Sequence, residues 1–273
     1  MTPEQPEVLS PLVTRVLAKN PSVMTGPGTN TYVVGTGPVV VIDVGPTDDA
    51  HTVAVHDAIA GREVAAVLST HHHSDHAPGT APLAQRTGAR VVARAHPQGP
   101  PVEQQTEDGD RVHAEGATLT ALHTPGHASD HLCFLLEDEA ALFSGDHIMS
   151  GSTVVIAPPD GHMDTYLASL RRLLEVPFGR IYPGHGPVID DGPAVVRDYI
   201  AHREERREQV LSRLQAGDVT VAEIVAAVYA EIPAVLHPVA RFSVLAHLHQ
   251  LADAGEAHCE GDNTSFEARW SPR

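Results

Sequence analysis

A short apolar run followed at once by a histidine-rich segment constrains this chain more than any other feature. The run, residues 64–68, reads Val-Ala-Ala-Val-Leu and is preceded by Gly61 and Arg62. Its length and β-branched content predict a buried strand. Residues 70–76 follow as Thr-His-His-His-Ser-Asp-His. The loop at the end of this strand therefore carries imidazole and carboxylate groups, which are good ligands for zinc and other first-row metals.

The spacing inside this loop predicts ligands for two adjacent metals. His71 and His73 are two residues apart, so in an extended segment they project to the same side, whereas His72 projects to the other. Asp75 and His76 come where the chain turns toward a helix predicted over residues 77–86, and they point elsewhere. The alternative is a histidine-rich surface loop that binds metal weakly and by accident.

Three distant segments carry further candidate ligands. His127 ends the sequence His-Thr-Pro-Gly-His, Asp146 follows an apolar run at 140–143, and His185 lies in Tyr-Pro-Gly-His-Gly. Each stands at the end of a predicted strand beside Gly or Pro, which suits a close approach of the backbone to a ligand.

Taken together, His-x-His-x-Asp-His and the later His, Asp and His resemble the metallo-β-lactamase-fold hydrolases, over about residues 21–186. The resemblance implies an α+β fold, a four-layer αββα sandwich with a two-metal site at one edge. It implies two divalent ions, zinc first, with manganese or iron as alternatives. By position it assigns the ligands as follows: His71, His73 and His127 for the first metal, Asp75, His76 and His185 for the second, and Asp146 as the bridging carboxylate.

The same resemblance implies hydrolysis by a hydroxide that the two ions share. Asp75 would both bind metal and orient that hydroxide. His131 is a candidate leaving-group acid or substrate contact, and a residue that merely opens a strand is an equal alternative. Asp43, at the end of a strand predicted over 39–44, is expected to hold a metal-site histidine or the loop backbone rather than to bind metal.

The chain is predicted to form two domains, 1–190 and 191–273. Residues 1–10 are expected to be frayed, 12–17 to form an edge strand, and 94–110 to be a solvated loop or a border of the cleft. After residue 190 come a long helix over 191–215, two helices over 221–229 and 238–253, and a hairpin over 256–270 with a tight turn near Gly261. Three helices with a two-stranded wing indicate a winged-helix module.

Residues 20–25, the motif Gly-Thr-Asn-Thr-Tyr at 28–32 and His-Ala-Ser-Asp-His at 127–131 resemble the beta-lactamase-like protein 2 subfamily. That resemblance implies an endoribonuclease acting on single-stranded RNA. The charge opposes it, because 18 basic residues stand against 35 acidic ones for a net −17, and a nucleic-acid footprint is basic. Stable binding of duplex DNA is not expected. We expect the acidic module to pack on the hydrolase domain or to pair with a second subunit.

Three functions compete. The first is metal-dependent cleavage of single-stranded RNA. The second is hydrolysis of a small thioester or lactone, as in glyoxalase II-like relatives. The third is a non-hydrolytic iron oxidoreductase or a binding module with a structural metal; His73 speaks against the di-iron version, where a Glu commonly replaces the second His. The N-terminus has no secretory pattern, no apolar run approaches the ~20 residues of a membrane span, and the two cysteines suggest no disulfide, so a cytoplasmic location is expected.

Overall fold

A computed structural model describes residues 1–102 and 105–273 of the chain, so two residues of the loop predicted over 94–110 lie outside the described part. The described residues form two compact units. The first contains residues 1–124, 130–153 and 176–193, and the second contains residues 125–129, 154–175 and 194–273. The domain boundary between residues 190 and 191 stays a prediction.

The first unit is built on two sheets. Among the described residues, one sheet has six strands in sequential order: β1 (Glu7–Val8), β2 (Val13–Leu17), β3 (Asn30–Val34), β4 (Val39–Ile42), β5 (Val64–Leu68) and β6 (Arg90–Val92). Strands β1 to β4 pair antiparallel, whereas β4, β5 and β6 pair parallel. The parallel connections contain helices α1 (Asp49–Ile59) and α2 (Thr80–Thr87), as parallel strands require a crossover.

The second sheet has five strands in the order β11-β10-β9-β8-β7. In chain order they are β7 (Arg111–Ala114), β8 (Ala117–His123), β9 (Leu132–Leu136), β10 (Ala141–Gly145) and β11 (Arg180–Pro183). Neighbours pair antiparallel except β10 and β11, which are parallel. Strand β10 is buried along its whole length, which is why its sequence shows a continuous apolar run rather than alternation.

The inner faces of the two sheets share one apolar core. Tyr32 of the first sheet packs against Phe143 and Tyr182 of the second, with ring centroids 5.0 and 5.7 Å apart. On the outer face of the first sheet, Val41 and Val67 pack with Val55 of α1 and Leu83 of α2. The first unit is therefore a stack of helices on sheet on sheet, in agreement with the predicted α+β class.

The second unit contains α3 (Met163–Leu173), most of α4 (Gly192–Gln215), α5 (Val221–Val228), α6 (His237–Asp253), β12 (Ala257–Glu260) and β13 (Arg269–Pro272). Side chains from α4, α5, α6 and the β12–β13 hairpin close a separate core around the fully buried Trp270. Helix α5 begins at a capping box formed by Thr220 and Glu223, which satisfies two backbone N–H groups of the first turn. The predicted helices and wing are confirmed.

Three local predictions were wrong. Residues 1–10 are not frayed, because β1 pairs with β2 and Glu7 contacts Arg15 at 2.6 Å; β2 is therefore not an edge strand. Helix α2 begins at Thr80, since the amide N–H of Gly79 bonds instead to the carbonyl of Gly45, at 3.1 Å. The wing connection runs from residue 261 to 268 rather than closing in a tight turn.

Of the helices that residues 1–102 and 105–273 form, none has both the length and the apolar character needed to cross a lipid bilayer.

Candidate metal centre

Four strands of the first unit end at the same group of polar side chains. Strand β4 is followed by Asp43, β5 by the histidine-rich loop, β10 by Asp146 and β11 by the loop that carries His185. Strands β4 and β5 are parallel, and so are β10 and β11, so each pair delivers its loops to one end of its sheet. This strand arrangement explains why the candidate ligands follow strands in the sequence.

One group of ligand atoms combines Asp75, His76, Asp146 and His185, with all four atoms within 4.8 Å of one another. His76 Nε2 and His185 Nε2 lie 3.2 Å apart, and each lies 3.2 Å from Asp146 Oδ1. Asp75 Oδ2 lies 3.2 Å from His185 Nε2 and 3.5 Å from His76 Nε2. Two imidazoles and two carboxylates thus converge on a space the size of one cation.

A neighbouring group contains His71 and His73 and shares Asp146 with the first; the ligand atoms of these three residues also lie within 4.8 Å of one another. His71 Nε2 and His73 Nδ1 are 2.9 Å apart. The rings of His71 and His76 have centroids 4.4 Å apart, so the two groups adjoin. Asp146 therefore occupies the position expected of a carboxylate between two ions.

Asp43 and Thr70 fix which nitrogen of two histidines faces the group. The Asp43 carboxylate accepts from the Thr70 amide and hydroxyl, both at 2.8 Å, and lies 2.9 Å from His76 Nδ1. Because the Thr70 hydroxyl donates to Asp43, it accepts from His71 Nδ1, at 3.0 Å. In the neutral imidazoles, Nε2 of His71 and of His76 is consequently the nitrogen that would bind a metal, the usual arrangement around ligating histidines. The predicted supporting role of Asp43 is confirmed.

Backbone carbonyls hold His185 in the same way. Its Nδ1 donates to the carbonyl of Gly28, at 3.1 Å. Asn30 secures the surrounding loop by donating from Nδ2 to the carbonyls of Pro183 and Gly186, both at 2.9 Å. Gly184 brings this loop close, because a Cβ at that position would lie 2.8 Å from both Asp146 Oδ1 and His76 Cε1.

The charges of the group fit a bound cation. Burial lowers the pKa of His185, but the Asp146 and Asp75 carboxylates outweigh it and raise that pKa to about 9. Burial raises the pKa of Asp75, but His76 and His185 outweigh it and lower that pKa to about 2. The carboxylates therefore favour protonation of the imidazoles. A divalent cation would supply the same positive charge in place of those protons. Burial and its histidine neighbours hold the pKa of His71 well below its usual value, which keeps it in the neutral form that binds metal.

His127 belongs to the second unit, on the short segment 125–129. It is buried, and its Nδ1 donates to the carbonyl of Val155, at 2.8 Å. Its Nε2 is thereby fixed as the nitrogen with the lone pair, as in His71, His76 and His185.

His131 lies in the first unit with no exposed surface. Its Nδ1 is 3.0 Å from Thr124 Oγ1, and its ring centroid is 5.1 Å from that of His71. This position favours a supporting role behind the ligands over contact with a leaving group; the predicted catalytic role stays a prediction. His72 points away from the group, as expected, and pairs with Asp130 at 2.9 Å.

Several residues that hold the ligands escaped the sequence interpretation. Thr70 stands next to the histidine cluster, so a search for hydroxyl donors beside ligands would have found it. The carbonyls of Gly28 and Val155 leave no signature, because any residue type supplies a carbonyl.

Comparisons with known proteins agree with this geometry. A profile of the Metallo-beta-lactamase superfamily matches residues 24–185, and one of the beta-lactamase associated winged helix domain matches residues 220–270. The lactamase-like protein adaB of Aspergillus niger is 35% identical over 98% of this chain and 89% of its own length. The atrochrysone carboxyl ACP thioesterase of Aspergillus fumigatus is 36% identical over 85% of this chain and 78% of its own length.

A crystal structure of a beta-lactamase domain protein from Burkholderia ambifaria superposes with a TM-score of 0.85 at 20% identity, covering 100% of this chain and 95% of that one, and supports the fold alone. Two stacked sheets with imidazole and carboxylate groups at their strand ends define a metal-dependent hydrolase. The chain belongs to the metallo-beta-lactamase superfamily and carries the winged-helix domain associated with it.

Proposed function

We propose that this protein hydrolyses acyl thioesters whose thiol is carried by a protein or a coenzyme-like arm. The observation that carries the proposal is the similarity, over most of both chains, to a protein named as an acyl-carrier-protein thioesterase. A second thioesterase of that name, from Cryptosporiopsis sp., is 34% identical over 82% of this chain and 74% of its own length. These relatives favour the thioester alternative over cleavage of single-stranded RNA.

The charge of the chain supports the same choice. With a net charge of −17, the protein repels a polyanion such as RNA at long range. A thioester substrate lacks the continuous polyanionic backbone of RNA, so the acidic surface opposes its approach less. The leaving groups differ as well. A thiol with a pKa near 8.5 leaves as thiolate without prior protonation, which suits a centre whose nearby His131 is fully buried.

In this proposal the ligands hold two divalent cations, zinc first, with manganese and iron as alternatives. In the proposal, His71, His73 and His127 would hold the first ion, Asp75, His76 and His185 would hold the second, and Asp146 would serve both. When bound, the cations supply Lewis acidity that polarises a carbonyl and lowers the pKa of water.

The chain itself supplies orientation. Asp75 is ionised at neutral pH because its pKa is about 2, and 26% of its side chain is exposed, so it accepts a hydrogen bond from the attacking water and aims it. Asp43 and Thr70 keep the proposed ligands His71 and His76 in the tautomer that metal binding needs. The thiol leaves as a thiolate when the C–S bond breaks, so no side chain of the group has to protonate it.

A substrate panel tests the proposal. The purified protein, loaded with zinc or manganese, is offered acyl thioesters, lactones and single-stranded RNA, with thiol release followed by a chromogenic disulfide. Cys133 is buried and Cys259 half-buried, so the reagent's reaction with enzyme alone is the blank. Thioester hydrolysis with kcat/KM of about 10⁴ M⁻¹ s⁻¹ or more, absent in Asp75→Asn, is the expected result. Cleavage of RNA or lactone with no thioester turnover would reject it.

The remaining expectations belong to the same proposal: a cytoplasmic protein without membrane association, and an acidic winged-helix module that mediates packing or homodimer formation rather than binding to duplex DNA. Residues 217–273 hold three arginines against eight acidic residues, which opposes a DNA footprint. Sedimentation of the protein alone checks the homodimer, and sedimentation with duplex DNA checks the absence of DNA binding.

A further inference from the structure

We propose that Arg203, in the long helix α4 of the C-terminal part of the chain, is a positioning residue for His127. It acts through the segment at residues 154–156. This inference rests on the proposed role of His127 as a metal ligand and adds a function for α4, which carries none of the proposed ligands.

Arg203 is an unusual residue for the interior of a protein. It is 1% exposed, although arginine is almost never fully buried unless its charge has a specific use. Its Nη2 donates to the carbonyl of Val154. Its Cζ lies 5.6 Å from the centre of the Tyr166 ring, over the ring face, a cation–π arrangement that restricts the guanidinium further.

The peptide that follows is the one that orients His127. The carbonyl of Val155 accepts the Nδ1–H of His127, at 2.8 Å. Two successive carbonyls of one segment are thus bonded to Arg203 and to His127. Because a charge-assisted hydrogen bond is about twice as strong as a neutral one, the guanidinium fixes the segment, and the segment fixes the imidazole.

The loop that carries His127 is also fastened to the helix under Arg203. The amide of His162, the cap of α3, donates to the carbonyl of Gly126, at 2.8 Å, and Ser169 Oγ donates to that of Pro125, at 2.8 Å. Gly126 lies so close to α3 that a Cβ there would be 2.3 Å from the Cα of Tyr166. The backbone of Tyr166 therefore lies against the loop that carries His127, and the ring of Tyr166 lies against Arg203.

A buried arginine also stabilises a protein in general, so the test needs a readout that stability alone does not move. Arg206 provides a matched control in the same helix. Its Nη1 donates to the carbonyl of Val228, at 3.2 Å, and its Cζ lies 4.7 Å from the Tyr229 ring centre. The pairing of a guanidinium with a carbonyl and a ring is the same, although Arg206 is half-buried. Its contacts are directed at α5 and the residue after it, not at the His127 loop.

The experiment is a double-mutant cycle on metal affinity. Zinc binding is measured by chelator competition and native mass spectrometry for the full chain, Arg203→Met, His127→Ala, the double variant and the Arg206→Met control. We expect two ions per wild-type chain. Arg203→Met should weaken one of them by about 10- to 100-fold, the range seen when a partner of a ligand is lost, and should leave the other unchanged.

The cycle identifies the route. If Arg203 acts through His127, adding Arg203→Met to His127→Ala causes no further loss of affinity, and Arg206→Met binds both ions as the wild type does. Arg203→Lys keeps the positive charge but lacks the planar guanidinium, so its zinc affinity should fall between those of the wild type and Arg203→Met. If Arg203→Met does not fold, Arg203→Lys replaces it in the cycle.

Additive losses in the double variant, equal losses in Arg206→Met, or a wild-type chain that binds one ion would each overturn the inference. Because zinc titration uses no substrate, its outcome is separate from that of the proposed function. A chain that behaves as expected in the cycle but hydrolyses no thioester rejects the substrate class and leaves the role of Arg203 standing.

Discussion

The carboxylate of Asp43 and Nδ1 of His76 lie 2.9 Å apart, and Asp43 holds this contact from a left-handed backbone conformation with φ of +51°. Such a conformation is uncommon for residues other than glycine, and Asp and Asn adopt it most readily. The same carboxylate accepts two hydrogen bonds from Thr70. The Asp43 side chain thus links the ends of β4 and β5 and fixes the tautomer of His76, a candidate ligand.

Asp43→Asn should lower the metal affinity of the group that contains His76 by about 10- to 100-fold with little loss of stability. Asn tolerates the same backbone, but its amide has a single acceptor oxygen where three donors meet, and its NH2 opposes one of them. Zinc titration together with thermal unfolding measures both effects. Asp138→Asn is the control, since Asp138 accepts the Thr118 amide at 2.7 Å on an exposed turn; equal affinities in the two variants would contradict the role.

Asp75→Asn should lower kcat for thioester hydrolysis by at least about 10²-fold, the scale for loss of a group that acts on the proton of the attacking water. The amide removes the negative charge that binds metal and orients water, while its similar shape preserves the fold. Initial rates at saturating zinc, with circular dichroism as the check on folding, decide the point. Turnover within a few-fold of wild type on the same substrate would exclude this role for Asp75.

Removal of metal should lower the melting temperature. An ion present at about 1,000 times its Kd stabilises the folded state by about 4 kcal/mol, which corresponds to roughly 8–16 °C at 2–4 °C per kcal/mol. Without the ion, the charge of the carboxylates is balanced only by the imidazoles, whose pKa values they raise. Scanning calorimetry before and after treatment with a chelator gives the shift, and readdition of zinc should restore it. An unchanged melting temperature would mean that no ion is held by the folded chain.

The second unit should lose stability in mild acid because of His247. Burial lowers its pKa to about 3, against a bond to Gln250 that raises it, and Arg203, His202 and Arg207 of α4 lower it further. Below the ordinary pKa of 6.5 the unfolded chain takes up a proton that the folded chain does not. Stability is therefore complete above pH 6.5 and falls as the pH drops toward 3, by about 1.4 kcal/mol per unit.

His247→Gln removes this titration and keeps an amide that bonds to Gln250. Between pH 7 and 5.5 the wild type should lose about 1 kcal/mol more stability than the variant, because both share every other titrating group. Urea unfolding followed by the fluorescence of Trp270, which lies in this core, measures the difference. Parallel losses in the two proteins would show that His247 does not titrate in this range.

The sequence predicted the strands that lead to the site because they are apolar, β-branched and ended by Gly or Pro. Six of the seven proposed ligands meet in the first unit, where Asp146 belongs to both groups. The ligand assignments themselves stay predictions. The six residues could be singled out because metal ligands are limited to a few residue types, and their spacing on a strand fixes the side to which they point.

What the sequence did not predict depends on partners far along the chain. The N-terminal segment is ordered because Glu4 contacts Nδ1 of His51, at 3.0 Å, and Glu7 contacts Arg15; such pairs have no local pattern. The link from Arg203 to Val154 spans 49 residues and ends on a carbonyl, so neither periodicity nor motif spacing reveals it.

Gly184 lets two donors of one group, Asp146 and His76, lie close to the backbone of the loop that carries His185. Any heavier side chain at that position would displace Asp146 or His76 before an ion arrived. Evolution therefore cannot replace Gly184 without disturbing these two proposed ligands. A descendant that came to prefer a larger or smaller ion would have to change the donor atoms themselves, since the backbone leaves no room to adjust the distance between them.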